Sequence, residues 1–97
     1  MINGDLNAFL DSLALGMELE VAFRGKRYLI QGWDWSPNDP TVGPHIEMVD
    51  LGIGAGDPRV FSLDAKSRSE CTRGFLEAPL WDGLTFNEAE PEIEWVA

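Results

Sequence analysis

The stretch from Met17 to Trp33, MELEVAFRGKRYLIQGW, constrains the fold more than any other. Its apolar residues recur at every second position, the period of a strand with one buried face. Met17, Leu19, Val21 and Phe23 point one way; Glu18, Glu20, Ala22 and Arg24 point the other. Gly25-Lys26 reads as a two-residue hairpin turn with glycine first, which pairs Phe23 with Tyr28 and Val21 with Ile30. The opposite face then carries Ala22 with Leu29, Glu20 with Gln31 and Glu18 with Trp33. One side of the hairpin wants a cover, and the other is half apolar and half acidic.

A cover is available just upstream. Leu6, Phe9, Leu10 and Leu13 follow the spacing of one helical face. Asn3 or Asp5 can cap this helix, and Gly16 suits the left-handed position that ends it. Downstream, SPNDPTVGP is a loop, since prolines interrupt any ladder. HIEMVDL reads as a third strand, GIGAGDP as a surface loop and RVFSL as a fourth strand. Asp64 can cap a helix from about Ala65 to Glu77. Thr85 and Glu88 form a capping box that opens a short last helix. EIEWV alternates again, as a closing strand or an irregular end. The order predicts an α+β fold: an antiparallel sheet of three to four strands with the N-terminal helix and C-terminal helices on one face. At 97 residues it is a single domain, 1–97.

Charge sets the class of partner. Seventeen Asp and Glu oppose seven Lys and Arg, a net charge of -10. Such a surface repels nucleic acid and anionic membrane, which need a basic footprint, and attracts basic protein surfaces. No apolar run approaches the roughly 18 residues of a membrane span. The start of the chain lacks the basic-then-apolar pattern of a secretory signal, and Cys71 is the only cysteine, so the reading is a cytoplasmic protein without disulfides.

The reactive residue types do not assemble into a site. His45 lacks the second histidine of a zincin helix and reads as an ordinary strand-end histidine. Cys71 reads as a buried structural thiol. GIGAGD lacks the Lys and Ser/Thr of a phosphate loop, and Pro58 stands where a helix should open. No calcium-loop pattern occurs, and a chain this short leaves little room for a cleft between two catalytic carboxylates. The reading is a protein that is not an enzyme, with no metal and no cofactor. Trp33, Trp35, Trp81 and Trp95 have two readings each, core or interface. Trp33 and Trp35 fall on the face away from the first helix, beside Glu18 and Asp34, where aromatics ringed by carboxylate make a protein-binding patch or, with Leu29, a dimer face.

Two stretches carry a resemblance. Glu18, Glu20, Gly25, Lys26, Tyr28 and Ile30 match an E-x-E-x4-G-K-x-Y-x-I hairpin, and Asp82, Gly83, Thr85 and Glu88 match D-G-x-[ST]-x-x-E. In both, the chain resembles a loose group of small bacterial and mobile-element proteins. The match covers the two ends, departs from Ser36 to Arg59, and rests on turns and caps that carry fold and no chemistry. In element order and acidity the chain also resembles phage anti-CRISPR proteins that mimic DNA. That resemblance implies a non-catalytic inhibitor whose carboxylates stand in for phosphates, spaced about one per 1.7 Å in duplex DNA. Its partner would be a basic nucleic-acid-binding protein, such as a CRISPR surveillance complex in a host bacterial cell. The working residues would be Glu18, Glu20 and Asp34 with Trp33 and Trp35, and Glu88, Glu90, Glu92 and Glu94. The alternatives are an immunity protein that caps a basic nuclease toxin, or an acidic interaction domain without inhibitory role.

Overall fold

A computed structural model describes residues 2, 5–37, 39, 41–54 and 56–97. Helix α1 spans Leu6–Ala14, followed by strands β1 (Leu19–Phe23), β2 (Lys26–Trp33), β3 (His45–Asp50) and β4 (Arg59–Asp64). Helices α2 (Arg68–Glu77) and α3 (Phe86–Ala89) and a 3-10 turn (Glu90–Glu92) lead to strand β5 (Ile93–Trp95). The sheet is antiparallel in the order β4-β3-β2-β1-β5. It has five strands rather than three or four, because Glu94 and its neighbours pair with the free edge of β1, Val21 opposite Trp95. The α+β fold is as the pattern predicts.

Period two dictates which face is covered. Leu19, Val21, Phe23, Tyr28, Ile30, Ile46, Met48 and Ile93 are buried and face the helices. Met17 lies outside this face's reach and is half-exposed. From the helical layer, Phe9 stacks on Phe86 at 5.6 Å between centroids and meets Trp95 edge-on at 5.4 Å. Trp81 sits at the centre, edge-on to Phe23 at 5.4 Å, Tyr28 at 5.9 Å, and Phe75 and Phe86 at 6.3 Å.

Two local expectations change. The hairpin turn is Arg24-Gly25 and not Gly25-Lys26, with φ of 48° and 80°. Two left-handed residues match the twist of the strands, so the register pairs Leu19 with Ile30, Val21 with Tyr28 and Phe23 with Lys26. The shift is two residues, an even number, so every side chain keeps its face. The second helix starts at Arg68, and its cap is Ser67, whose hydroxyl accepts from the Glu70 N–H at 3.2 Å. Asp64 belongs to β4 instead. EIEW is a strand. By contrast, Gly16 takes φ +73° after α1, and the Met17 N–H reaches the Ser12 carbonyl at 3.1 Å, as a left-handed helix end requires. Asp5 occupies the N-cap position of α1 without a side-chain cap bond, and Asn3 lies outside the described residues. Thr85 and Glu88 form the capping box of α3. Leu51 to Gly54 make an exposed turn at the start of the GIGAGDP connection, in which Ala55 lies outside the described residues.

A left-handed Arg24 costs backbone energy that a glycine would not, and its side chain supplies an offset. The guanidinium donates to both Glu92 oxygens, at 2.7 and 2.9 Å, and to Asp82 at 3.3 Å. It thereby ties the hairpin turn to the segment that leads into β5. The Arg24 hydrogen bond holds the Glu92 carboxyl below its ordinary 4.5. A depressed carboxyl contributes stability that is complete above the unfolded value and is lost as pH falls through the folded one. The Glu92 carboxyl, followed by carbon-detected NMR, is expected to titrate below 4.5, and Arg24→Gln is expected to return it towards 4.5. An unchanged titration in the variant would show that the clamp does not form in solution.

Candidate functional site

The helices cover one face of the sheet; on the other, most side chains are half-buried or exposed, while His45 and Glu47 are buried. Strand alternation places Glu20 and Ala22 there from β1, Leu29, Gln31 and Trp33 from β2, and Glu94 from β5. His45, Glu47 and Val49 join them from β3, with Ser62 and Asp64 from β4.

A closed polar row crosses this face at one end. His45 lies directly opposite Trp33 in the ladder, and the two rings stack at 5.3 Å with 28° between planes. The His45 side chain is 0% exposed. Its Nδ1 lies 2.7 Å from Asp64 Oδ1 and its Nε2 lies 2.9 Å from Glu47 Oε1. Gln31 donates to the second Glu47 oxygen at 3.2 Å. An ionised carboxylate only accepts, and a neutral imidazole donates from one nitrogen alone. A neutral imidazole can therefore donate to only one of the two carboxylates, and its tautomer decides which. No solvent reaches the imidazole, so it cannot meet a substrate. What the row can do is fix the end of β2 against β3 and β4 and set the plane of Trp33.

The connection from β2 to β3 leaves from that fixed point and is anchored again along its length. Asp34 accepts from the guanidinium of Arg68, which crosses from α2 past Gly16. A Cβ on Gly16 would collide with that guanidinium. Ser36 is fully buried. Asp39 accepts from the Thr41 N–H at 3.0 Å and the Thr41 hydroxyl at 2.7 Å, which holds its carboxyl below the usual range. Gly43 has φ +122°, and a Cβ there would stand 2.6 Å from the Ala65 carbonyl. The Ala65 N–H closes the connection on the Pro44 carbonyl at 2.9 Å. Between these ties Trp35 is left 54% exposed.

The expected acidic residues form two groups. Glu18 and Glu94 are exposed at the β1 and β5 side, and Glu20 there is bridged by Arg27 at 2.8 Å. Asp34 stands at the end of β2 with Arg68. Glu88, Glu90 and Glu92 belong to the helical side. Glu88 is spent on the Thr85 cap, whose N–H and hydroxyl lower its carboxyl, and Glu92 on Arg24. Glu90 is half-buried, and its Oε2 has no partner among the described residues. Among the tryptophans, Trp81 is core, Trp95 and Trp33 are half-buried, and Trp35 is open.

No family model, curated protein or solved structure matches this chain.

The buried row was missed by sequence reasoning. The spacing His45-x-Glu47 on a strand was the available signal, since period two puts both on one face. Asp64 lies 19 residues away and gives no such signal. Cys71 is buried in α2, and burial pushes its thiol up, away from reactivity. Among the described residues, no three His, Cys, Asp or Glu side chains are placed to hold a metal ion, and no helix is long and apolar enough to cross a membrane.

Proposed function

We propose that this chain is a non-catalytic, acidic binding protein that occupies a basic, nucleic-acid-binding surface of a partner and so excludes the nucleic acid. The supporting observation is how the positive charge is spent. Of seven Lys and Arg, Arg24, Arg27, Arg59 and Arg68 are already paired with the protein's own carboxylates. The excess carboxylate therefore meets no internal counter-charge. Part of it, Glu18 and Glu94, is exposed beside a sheet face that carries half-buried aliphatic and aromatic side chains, the composition of a protein interface. The partner class with the best physical match is a complex that holds DNA in basic channels, of which a CRISPR surveillance complex of the host cell is the first to test. A basic nuclease toxin is the second, because its active site offers the same charge; the neighbouring gene would then encode that toxin.

The test is a binding measurement of the tagged protein against purified surveillance complexes across a salt series. Binding that competes with target DNA and weakens about 100-fold or more between low and moderately high salt is expected, since several charge contacts are screened together. Reversing Glu18, Glu20 and Glu94 together is expected to abolish it while the circular dichroism spectrum is kept. A charge-reversed variant that still inhibits would refute the reading.

A further inference from the structure

We propose that the helical layer carries a second binding site: the trough between α1, the end of α2 and the start of α3 seats the apolar face of a basic amphipathic helix from a protein partner. The site lies on the helical side of the sheet and does not rest on the partner proposed above.

Shape, rigidity and charge carry it. The trough has a volume of about 370 Å³, which lies within the range of about 300–1,000 Å³ for sites that enclose a ligand. It therefore has room for the side chains of one helical face. Its walls are Leu6 and Leu10 from α1 and Leu76 from α2, and Phe86 closes it below. Leu6 and Leu10 stand one helical turn apart, the spacing at which an incoming helix presents its own anchors. Phe86 is buried and stacked on Phe9, and the three leucines are half-buried against the core. Walls fixed in this way lose little freedom when the trough fills. The charge around it has one sign. Glu77 lines the trough, is exposed, and has no ion pair or hydrogen bond among the described residues. A second carboxylate is held beside it, because Thr85, which also lines the trough, donates its N–H and its hydroxyl to Glu88 Oε1 at 3.0 and 3.1 Å. No lysine or arginine lines the trough. Apolar walls edged by carboxylate alone are the complement of an apolar stripe flanked by Lys or Arg. A second copy of a chain at -10 brings the wrong sign of charge to that edge.

The experiment titrates the full isotope-labelled chain with a synthetic peptide of leucine and lysine whose leucines fall at i, i+3, i+4 and i+7, and follows leucine methyl and backbone amide signals. The Leu6, Leu10 and Leu76 methyls are expected to shift in a saturable way, while Leu19 in the core and Leu29 on the other sheet face stay. The same residues scrambled out of helical register carry the same charge and are expected to bind about tenfold more weakly. Glutamate in place of lysine is expected to abolish binding. Asn87→Trp alters an exposed residue of the lining and leaves the core intact; its indole is expected to fill the trough and weaken the lysine peptide about tenfold. Glu77→Lys is expected to weaken it several-fold and to admit the glutamate peptide. If the scrambled peptide binds equally well, or the shifts gather at Glu18, Glu20 and Glu94, the net charge alone is at work and the trough is not the seat. If the glutamate peptide binds the unaltered protein as tightly, the trough does not select a basic helix and the proposal falls. It falls equally if the peptide does not bind, or if the leucine signals already depend on protein concentration without peptide, which would assign the trough to a second copy. None of these results decides the surveillance-complex measurement, which reads the other face.

Discussion

Trp81→Ala is expected to remove about 3–5 kcal/mol of stability, the largest loss available from a single truncation in the core. The indole is 1% exposed and meets four aromatic rings from β1, β2, α2 and α3. It is therefore the piece that joins sheet and helices, and no neighbour can collapse into its space without leaving another. A domain of this size has a total stability of only about 5–15 kcal/mol. Thermal denaturation is expected to show a midpoint lowered by about 15 °C or more, on the scale of about 4–8 °C per kcal/mol for small domains. Urea denaturation should give a lower midpoint with an unchanged slope. A loss under about 1 kcal/mol would mean that the aromatic cluster is loosely packed in solution.

The second large effect concerns polar groups. His45→Leu is expected to cost about 3–5 kcal/mol, because Glu47 is left nearly buried with the donor to one oxygen removed. The buried side of that row makes the effect non-additive. Glu47→Leu alone strands one imidazole nitrogen, yet His45→Leu with Glu47→Leu removes both partners and is expected to recover most of the loss. Asp64, whose side chain is 29% exposed, can turn to water in the double variant. Denaturant melts of the four proteins in this cycle measure the coupling. Additive losses would show that the hydrogen bonds at 2.7 and 2.9 Å do not act as a unit.

What could be read from the chain divides by distance along it. The face pattern of the first hairpin, the apolar stripe and glycine end of α1, and the Thr85–Glu88 box are all set by residues within a few positions of one another. Each is found where the pattern puts it. The turn moved by one residue because a glycine fits either left-handed position, and only the register of the whole sheet decides between them. Asp64 is chemically suited to cap a helix, but the imidazole of a strand far upstream takes it instead. A three-residue β5 shows only a brief alternation, which leaves strand and irregular end open; its partner strand lies about seventy residues earlier. The carboxylates were legible as an excess and not as an arrangement. Which of them are spent on Arg24 and Arg68 follows from contacts between distant segments that a linear reading cannot place, and Glu20 meets Arg27 only in the observed hairpin register.

The sheet's two borders bear on how an uncovered face can persist. A face with half-buried valine and tryptophan invites stacking, and a border strand with free backbone groups invites fibril growth. Here one border is β5, which is three residues long. The other is β4, where the register slips between Met48 and Val49 and leaves Val60 as an extra residue. A bulge of this kind bends and twists the strand, so a second molecule meets no straight template to extend. With both borders spoiled and a net charge of -10, the chain can leave one sheet face without a helical cover and still resist polymerising on itself.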